Sequence, residues 1–384
     1  ETLMEETIVL GLERVQLVYE KLFPNGLPYT VITVAGTNGK GSTVSFIDSI
    51  YRQSTYKVGR STSPHLLKYN ERYAIDGEDV SDEVIINAFE LIEAKREDIK
   101  LTYFEFSTLA AFIIFEKAEV DIAILEVGLG GRLDSVNVVD SDVSIITNIA
   151  IDHTDYLGDT REAIGREKAG VMRGSRPCIC GDQDPPQSLL AYAKEIGTDI
   201  TFVRKAYEDD IGLEGDHQRL NAAVAIQAVE SLKEQLPISL GMIIEGVKSA
   251  TIKARFEKIE IGEKTIILDV AHKPAAVKTL VDTLSKSSMQ TVAIFSALID
   301  KDIIEMVDLA SNAIKHWYLV PLTAERAIES NALKNKFSNP ESTTICQDMN
   351  SAIQESLAYK EAERIVIFGS FYTIADASII INEL

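Results

Sequence analysis

The sequence predicts an α/β protein of two domains, the first built on a doubly wound parallel sheet and the second smaller and Rossmann-like. Three observations carry that expectation. The 384 residues exceed the usual size of one compact domain. Short runs of apolar, β-branched residues alternate with helical patterns, the order that a parallel sheet with crossover helices produces. The first such run, Val31 to Ala35, is followed at once by glycines and then by helical spacing from Thr43 to Arg52, giving strand, glycine loop, helix.

The elements follow in order. Ile8 to Phe23 sets Val15, Val18, Tyr19 and Leu22 at helical spacing among charges, and Asn25-Gly26 ends that amphipathic helix. Asp121 to Val127 and Val143 to Thr147 are continuous apolar runs of the kind buried on both faces of a sheet. Gln218 to Glu234 is a helical pattern that closes the first half, and Leu236 to Ala254 is expected to connect the domains, with a boundary near residue 252 and hence domains 1–251 and 252–384. In the second half, Thr265 to Asp269, Thr291 to Phe295, Trp317 to Val320 and Arg364 to Phe368 read as strands separated by helical patterns.

Composition narrows the function classes. Hydrophobic residues make up 46% and charged residues 25%, the balance of an ordered globular chain. A formal charge of -21 repels polyanions and anionic lipid, so neither nucleic acid nor membrane is an expected partner, and any anionic substrate must meet a local positive site. No apolar run approaches the roughly 18 residues of a spanning helix, and Glu1, Glu5 and Glu6 differ from a basic signal region, which makes the cytoplasm the expected address. Cys178, Cys180 and Cys346 are odd in number and lack CxxC spacing, so they are expected to be reduced and structural. Nothing marks an oligomer interface, and a monomer is expected.

The segment Gly36-Thr37-Asn38-Gly39-Lys40-Gly41-Ser42 sits between a strand and a helix, where backbone N–H groups can approach phosphate oxygens and Lys40 can offset their charge. Gly41 separates Lys40 from Ser42, so the spacing differs from the usual GxxxxGK[ST]. The loop makes the first domain P-loop ATPase-type. A kinase or a nucleotide-binding regulator would share that much.

GTNGKGST resembles the loop of the Mur ligase superfamily, and specifically its dihydrofolate synthase and folylpolyglutamate synthase branch, in which a glycine after the lysine is usual. Thr62-Ser-Pro-His65 with Tyr69-Asn-Glu-Arg72, Thr102-Tyr103-Phe104-Glu105, Glu126-Val-Gly-Leu-Gly-Gly-Arg-Leu-Asp134 and Gly165-Arg-Glu-Lys-Ala-Gly170 resemble further motifs of that branch, in order. The resemblance implies a ligase that uses ATP to activate a substrate carboxylate as an acyl phosphate and then joins it to L-glutamate. The acceptors it implies are dihydropteroate and tetrahydrofolate.

Ser63, Glu126 and His153 match positions that hold magnesium in the branch, and hard oxygen ligands suit that ion. From position alone, Glu126 also reads as an exposed carboxylate and His153 as a core histidine. Lys168 shares its helix with Arg161, Glu162 and Arg166, and by spacing alone it is one more solvated charge. The resemblance instead implies a carbamylated Lys168 serving a second Mg2+ site, with Lys40, His153 and Lys168 as the catalytic set. It further implies that Thr102, Tyr103, Phe104 and Glu105 lie beside the pterin, and that Asn221, Arg255 and Asp269 contact ATP. The resemblance also implies that His272, in Asp269-Val-Ala-His272, helps seat glutamate.

Three features differ from the branch. Lys273 stands where asparagine is usual, Lys253-Ala254-Arg255 replaces the common Pro-Gly-Arg, and the segment Ala206 to Gly215 is shorter than in typical relatives.

Overall fold

The computed structural model describes residues 9–324 and 326–383. The acidic residues Glu1, Glu5 and Glu6 and the expected helix start at Ile8 lie outside the described residues. The chain divides into two compact units, one running to Gly212 and including His217–Thr251, the other comprising Leu213–Asp216 and Ile252–Leu384.

In the first unit the described residues form an eight-stranded sheet. Its strands are β1 (Thr30–Ala35), β2 (Val58–Ser61), β3 (Tyr73–Ile75), β4 (Glu78–Asp79), β5 (Ile122–Glu126), β6 (Val143–Ile146), β7 (Cys178–Cys180) and β8 (Ile200–Phe202), in the order β4-β3-β2-β5-β1-β6-β7-β8. From β2 to β8 across that order the pairs are parallel, while β3 and β4 add an antiparallel edge. The apolar runs of β1, β5 and β6 occupy the middle, where helices cover both faces and every residue of β5 is buried. The loops after β1, β2, β5 and β6 therefore leave one carboxyl edge, the place where ligands bind in sheets of this kind.

The first amphipathic helix spans Glu13–Leu22, and the helix after β1 spans Lys40–Tyr51, starting three residues earlier than the apolar spacing indicates. Lys40, Gly41 and Ser42 are thus in its first turn, where N–H groups have no partner within the helix. The stretch expected to be a connection contains a helix, Leu240–Ser249, whose start is capped by Ser239 accepting from the Met242 N–H. Its Gly246 packs on the backbone of Ile50 in the helix Lys40–Tyr51, so this segment belongs to the first unit.

The second unit holds β9 (Glu257–Ile261), β10 (Lys264–Leu268), β11 (Thr291–Phe295), β12 (His316–Leu319), β13 (Thr343–Ile345) and β14 (Arg364–Phe368), in the order β13-β12-β11-β14-β10-β9. All pairs are parallel except the hairpin of β9 with β10. Phe295, Trp317, Phe337 and Phe368 pack edge-on or tilted in its core. The buried Arg364 donates from Nε to Thr291 Oγ1 at 2.9 Å and from one terminal nitrogen to the Leu284 carbonyl at 2.9 Å, so these two donors are met inside the core. The three cysteines are free and buried, as expected. No helix among the described residues is long and apolar enough to cross a membrane.

Candidate active site

The glycine loop is shaped by the neighbouring strand as much as by its own. Gly36 has φ 145° and lies so close to Thr147, after β6, that a Cβ would stand 1.8 Å from the Thr147 hydroxyl. Only glycine meets both demands. Thr147 Oγ1 donates to the Asn38 carbonyl at 2.6 Å, and the N–H groups of Thr37 and Asn38 donate to the backbone and side chain of Asn148. Gly39, at φ 83°, faces Asn221, whose side-chain oxygen would lie 2.6 Å from an added Cβ. Asn221 is fixed by donating to Gln218 at 2.9 Å. The expected ATP residues Gly36 to Ser42 and Asn221 therefore share one place. Lys40 Nζ donates to the Gly36 carbonyl at 3.1 Å.

Glu126 ends β5 and is 8% exposed, so the reading of it as an exposed carboxylate does not hold. It accepts the Ser63 N–H at 3.2 Å, which brings two of the expected metal residues together. His153 is not a core histidine: its side chain is 51% exposed, at a left-handed φ of 50°, with Asp152 3.9 Å away. Among the described residues no cluster of three or more His, Cys, Asp and Glu side chains is arranged to hold a metal ion. The donors at hand, one carboxylate, one hydroxyl and one imidazole, fit Mg2+ as it is usually held, by few protein groups with waters and phosphate oxygens completing its shell.

Lys168 corrects the spacing argument most sharply. It is 3% exposed, and burial first, then the positive charge of Lys40, lowers its pKa to about 7 against the opposing pull of Asp152 and Asp134. The glycine motif after β5 makes this burial possible, because a Cβ on Gly131 would stand 2.7 Å from the Glu167 carbonyl and 3.1 Å from Lys168 Cα. Asp134 folds that motif by accepting the N–H groups of Leu129 and Val136 at 2.8 and 2.9 Å. Its own burial raises its pKa to about 6 despite these bonds and nearby Lys40. Lys40, Asp134, Asp152 and Lys168 thus form one electrostatic group. The sequence motifs by themselves assign no role to Asp134 or Asp152.

At the acceptor motif, two of the four expected residues are committed to holding the helix Tyr103–Lys117. Thr102 and Glu105 form a capping box, and Glu105 also pairs with Arg14 at 2.8 Å. Tyr103 is exposed, and Phe104 lines a narrow cavity together with Ser63, Arg72, Ser107 and Glu126. Gly128 lets the Phe104 ring approach, since an added Cβ would stand 2.5 Å from it.

In the second unit, Asp269 directly follows β10 and accepts the N–H groups of Ala271 and Phe256 at 2.8 and 2.9 Å. It is not a helix cap, because the following helix Pro274–Leu284 is preceded by Lys273. Arg255 is exposed between Ala254 and Phe256, which adopt left-handed φ of 57° and 53°. His272 is half-buried, its Nδ1 lies 2.7 Å from the Val270 carbonyl, and burial lowers its pKa.

Comparison with known proteins adds a second line of support. The Mur ligase middle domain matches residues 34–193, and the Mur ligase, glutamate ligase domain matches residues 254–371. The dihydrofolate synthase/folylpolyglutamate synthase of Escherichia coli (strain K12) is 36% identical over 401 residues, covering 100% of this chain and 94% of that protein. The structure of E. coli FolC in complex with DHPP and ADP superposes with a TM-score of 0.90 at 35% identity, covering 100% of this chain and 96% of that one. A bifunctional folylpolyglutamate synthase/dihydrofolate synthase with Mn, AMPPNP and L-glutamate bound gives a TM-score of 0.87 at 37% identity, covering 98% and 96% of the two chains.

Proposed function

The chain belongs to the Mur ligase superfamily and, within it, to the dihydrofolate synthase/folylpolyglutamate synthase family, and on that premise we propose that one active site adds L-glutamate both to dihydropteroate and to tetrahydrofolates. It is an ATP-dependent ligase that joins glutamate to folates. The observation that carries the site assignment is the Ser63–Glu126 contact, which lies on the carboxyl edge that bears the phosphate loop and borders the cavity lined by Phe104. We assign the phosphate loop and the acceptor to residues 1–251 and glutamate to residues 252–384, with Arg255 and Asp269 adding contacts to ATP and His272 seating glutamate. The protein works as a monomer on these small molecules.

In the proposed reaction an acceptor carboxylate oxygen attacks the γ-phosphorus, the bond to the bridging oxygen breaks, and ADP leaves. The amine of glutamate then attacks the acyl carbon, phosphate departs, and the amide nitrogen loses its proton. Phosphoryl transfer of this kind depends on positioning and charge neutralisation. Lys40 and the N–H groups of the loop supply both to the phosphate chain. Ser63, Glu126 and His153 would hold Mg2+, which supplies further neutralisation when bound. Lys168, buried and titrating near neutral pH, offers an uncharged amine whose nitrogen can add to the carbon of CO2 and release a proton. The resulting carbamate would replace a buried cation with an anionic oxygen group able to hold a second Mg2+.

A substrate panel tests the reading. With ATP and L-glutamate, dihydropteroate and tetrahydrofolate are each expected to release phosphate and yield a product heavier by one glutamate. Release with tetrahydrofolate alone restricts the activity to polyglutamylation. Products that gain phosphate instead, or no release with either acceptor, overturn the ligase assignment.

A further inference from the structure

We propose that Arg72 binds the carboxylate of the acceptor substrate, an inference that rests on the ligase reading above. The side chain is buried, 8% exposed, yet its charge is met by no carboxylate among the described residues. Glu71, its neighbour in the chain, is turned away to accept the N–H groups of Leu66, Leu67 and Lys68. Burying a guanidinium without a counter-charge is costly, so an arrangement that maintains one is prepared for an anion that arrives from outside.

The group is held firmly in place. Arg72 Nε donates to His65 Nδ1 at 2.9 Å, and its guanidinium carbon lies 5.4 Å from the Tyr69 ring centre and 5.3 Å from that of Tyr103. Tyr69 is itself fixed by hydroxyl contacts with Tyr73 at 2.9 Å and Ser107 at 2.6 Å. One nitrogen is thus spent on positioning, and the planar fork of the terminal nitrogens is left for a carboxylate, whose two oxygens it matches. Arg72 lines the same narrow cavity as Ser63, Phe104 and Glu126. The guanidinium supplies positive charge to that cavity from the protein itself. In a chain of formal charge -21, such a local cation is what an anionic acceptor requires.

The test compares binding of pteroate with that of its carboxamide, in which the carboxylate alone is neutralised, to the full chain with Mg2+ and ADP. A charge-assisted contact of this type corresponds to about tenfold to hundredfold in affinity. Wild type is expected to bind pteroate tighter than the amide by about that factor. R72Q is expected to bind both alike, and R72K, which retains charge without the fork, to lie between. In turnover, R72Q should raise KM for the acceptor far more than KM for ATP. A structural role alone would lower the melting temperature and leave the preference for carboxylate over amide intact in the folded fraction. Preference retained in R72Q, or absent in wild type, overturns the proposal. Absence of acceptor turnover in wild type would instead sink the ligase reading, and this inference with it.

Discussion

Gly246 rests on the backbone of Ile50, so that a methyl group on it would stand 2.4 Å from the Ile50 Cα. The helix Leu240–Ser249 can approach the helix of the phosphate loop only without a side chain at this point. G246A is expected to destabilise the first unit by about 1–3 kcal/mol, the usual cost of overpacking. Thermal unfolding checks this, and a melting temperature equal to wild type would contradict the close contact.

Lys40 is half-exposed and, among the described residues, its side chain hydrogen-bonds only to its own loop, so K40A should leave the fold unchanged. Loss of its charge beside the phosphates is expected to lower kcat/KM by about a hundredfold or more, in the range seen when one electrostatic stabiliser is removed. Steady-state phosphate release with circular dichroism as the fold control measures both. Near wild-type turnover would refute the role.

The carbamate predicted on Lys168 has a pH signature. Only the uncharged amine adds CO2, and its pKa is lowered to about 7, so the modification should be present at pH 8 and decline as the pH falls through that value. Labelled bicarbonate and 13C NMR would show a carbamate resonance in wild type and none in K168M. The same resonance in K168M, or none in wild type at pH 8, rules the modification out at this position.

Gly128 separates the Glu126 strand end from Phe104. G128A would drive a methyl group into the ring, 2.5 Å away, and displace the cavity wall. The expected outcome is an acceptor KM raised about tenfold or more, the effect of 1–3 kcal/mol of misfit, with a smaller change in KM for ATP. Equal changes in both would mean that Phe104 does not border the acceptor.

Ala254 stands at φ 57° where the family commonly has glycine, and its side chain is buried. An L-residue in that conformation costs about 1–2 kcal/mol, partly offset by the lower chain entropy of alanine. A254G should therefore stabilise the protein by up to about 1 kcal/mol, read as a rise in denaturant midpoint. A lower midpoint would show that the strain is relieved elsewhere.

The parts of the fold that could be read from sequence were those with long, uninterrupted patterns. β1, β5, β6, β11 and β14 are apolar runs of four to six residues, and their ends marked the carboxyl edges on which Glu126 and Asp269 sit. β4, with two residues, and β3, β7 and β8, with three each, are too short to carry a period. The burial of Lys168 left no trace in its helix because periodicity reports only intrahelical neighbours, whereas the Gly128–Asp134 loop that covers it comes from another part of the chain. Arg72 was visible as a motif member, but its lack of a carboxylate partner is a property of three-dimensional packing alone. The helix Leu240–Ser249 has an apolar stripe that was legible in principle, in Ile243 and Val247, and was obscured by its position between two domains.

The hydrogen bond from Lys40 to the Gly36 carbonyl closes the loop on itself. Nζ carries three donors, so this bond holds the ammonium in place and leaves two N–H groups for an anion. A ligand with a single oxygen engages those alone, whereas a polyphosphate also reaches the N–H groups of the first helical turn. The tether therefore fixes where the positive charge stands before any phosphate arrives, and the number of contacts an anion can make decides how well it is held.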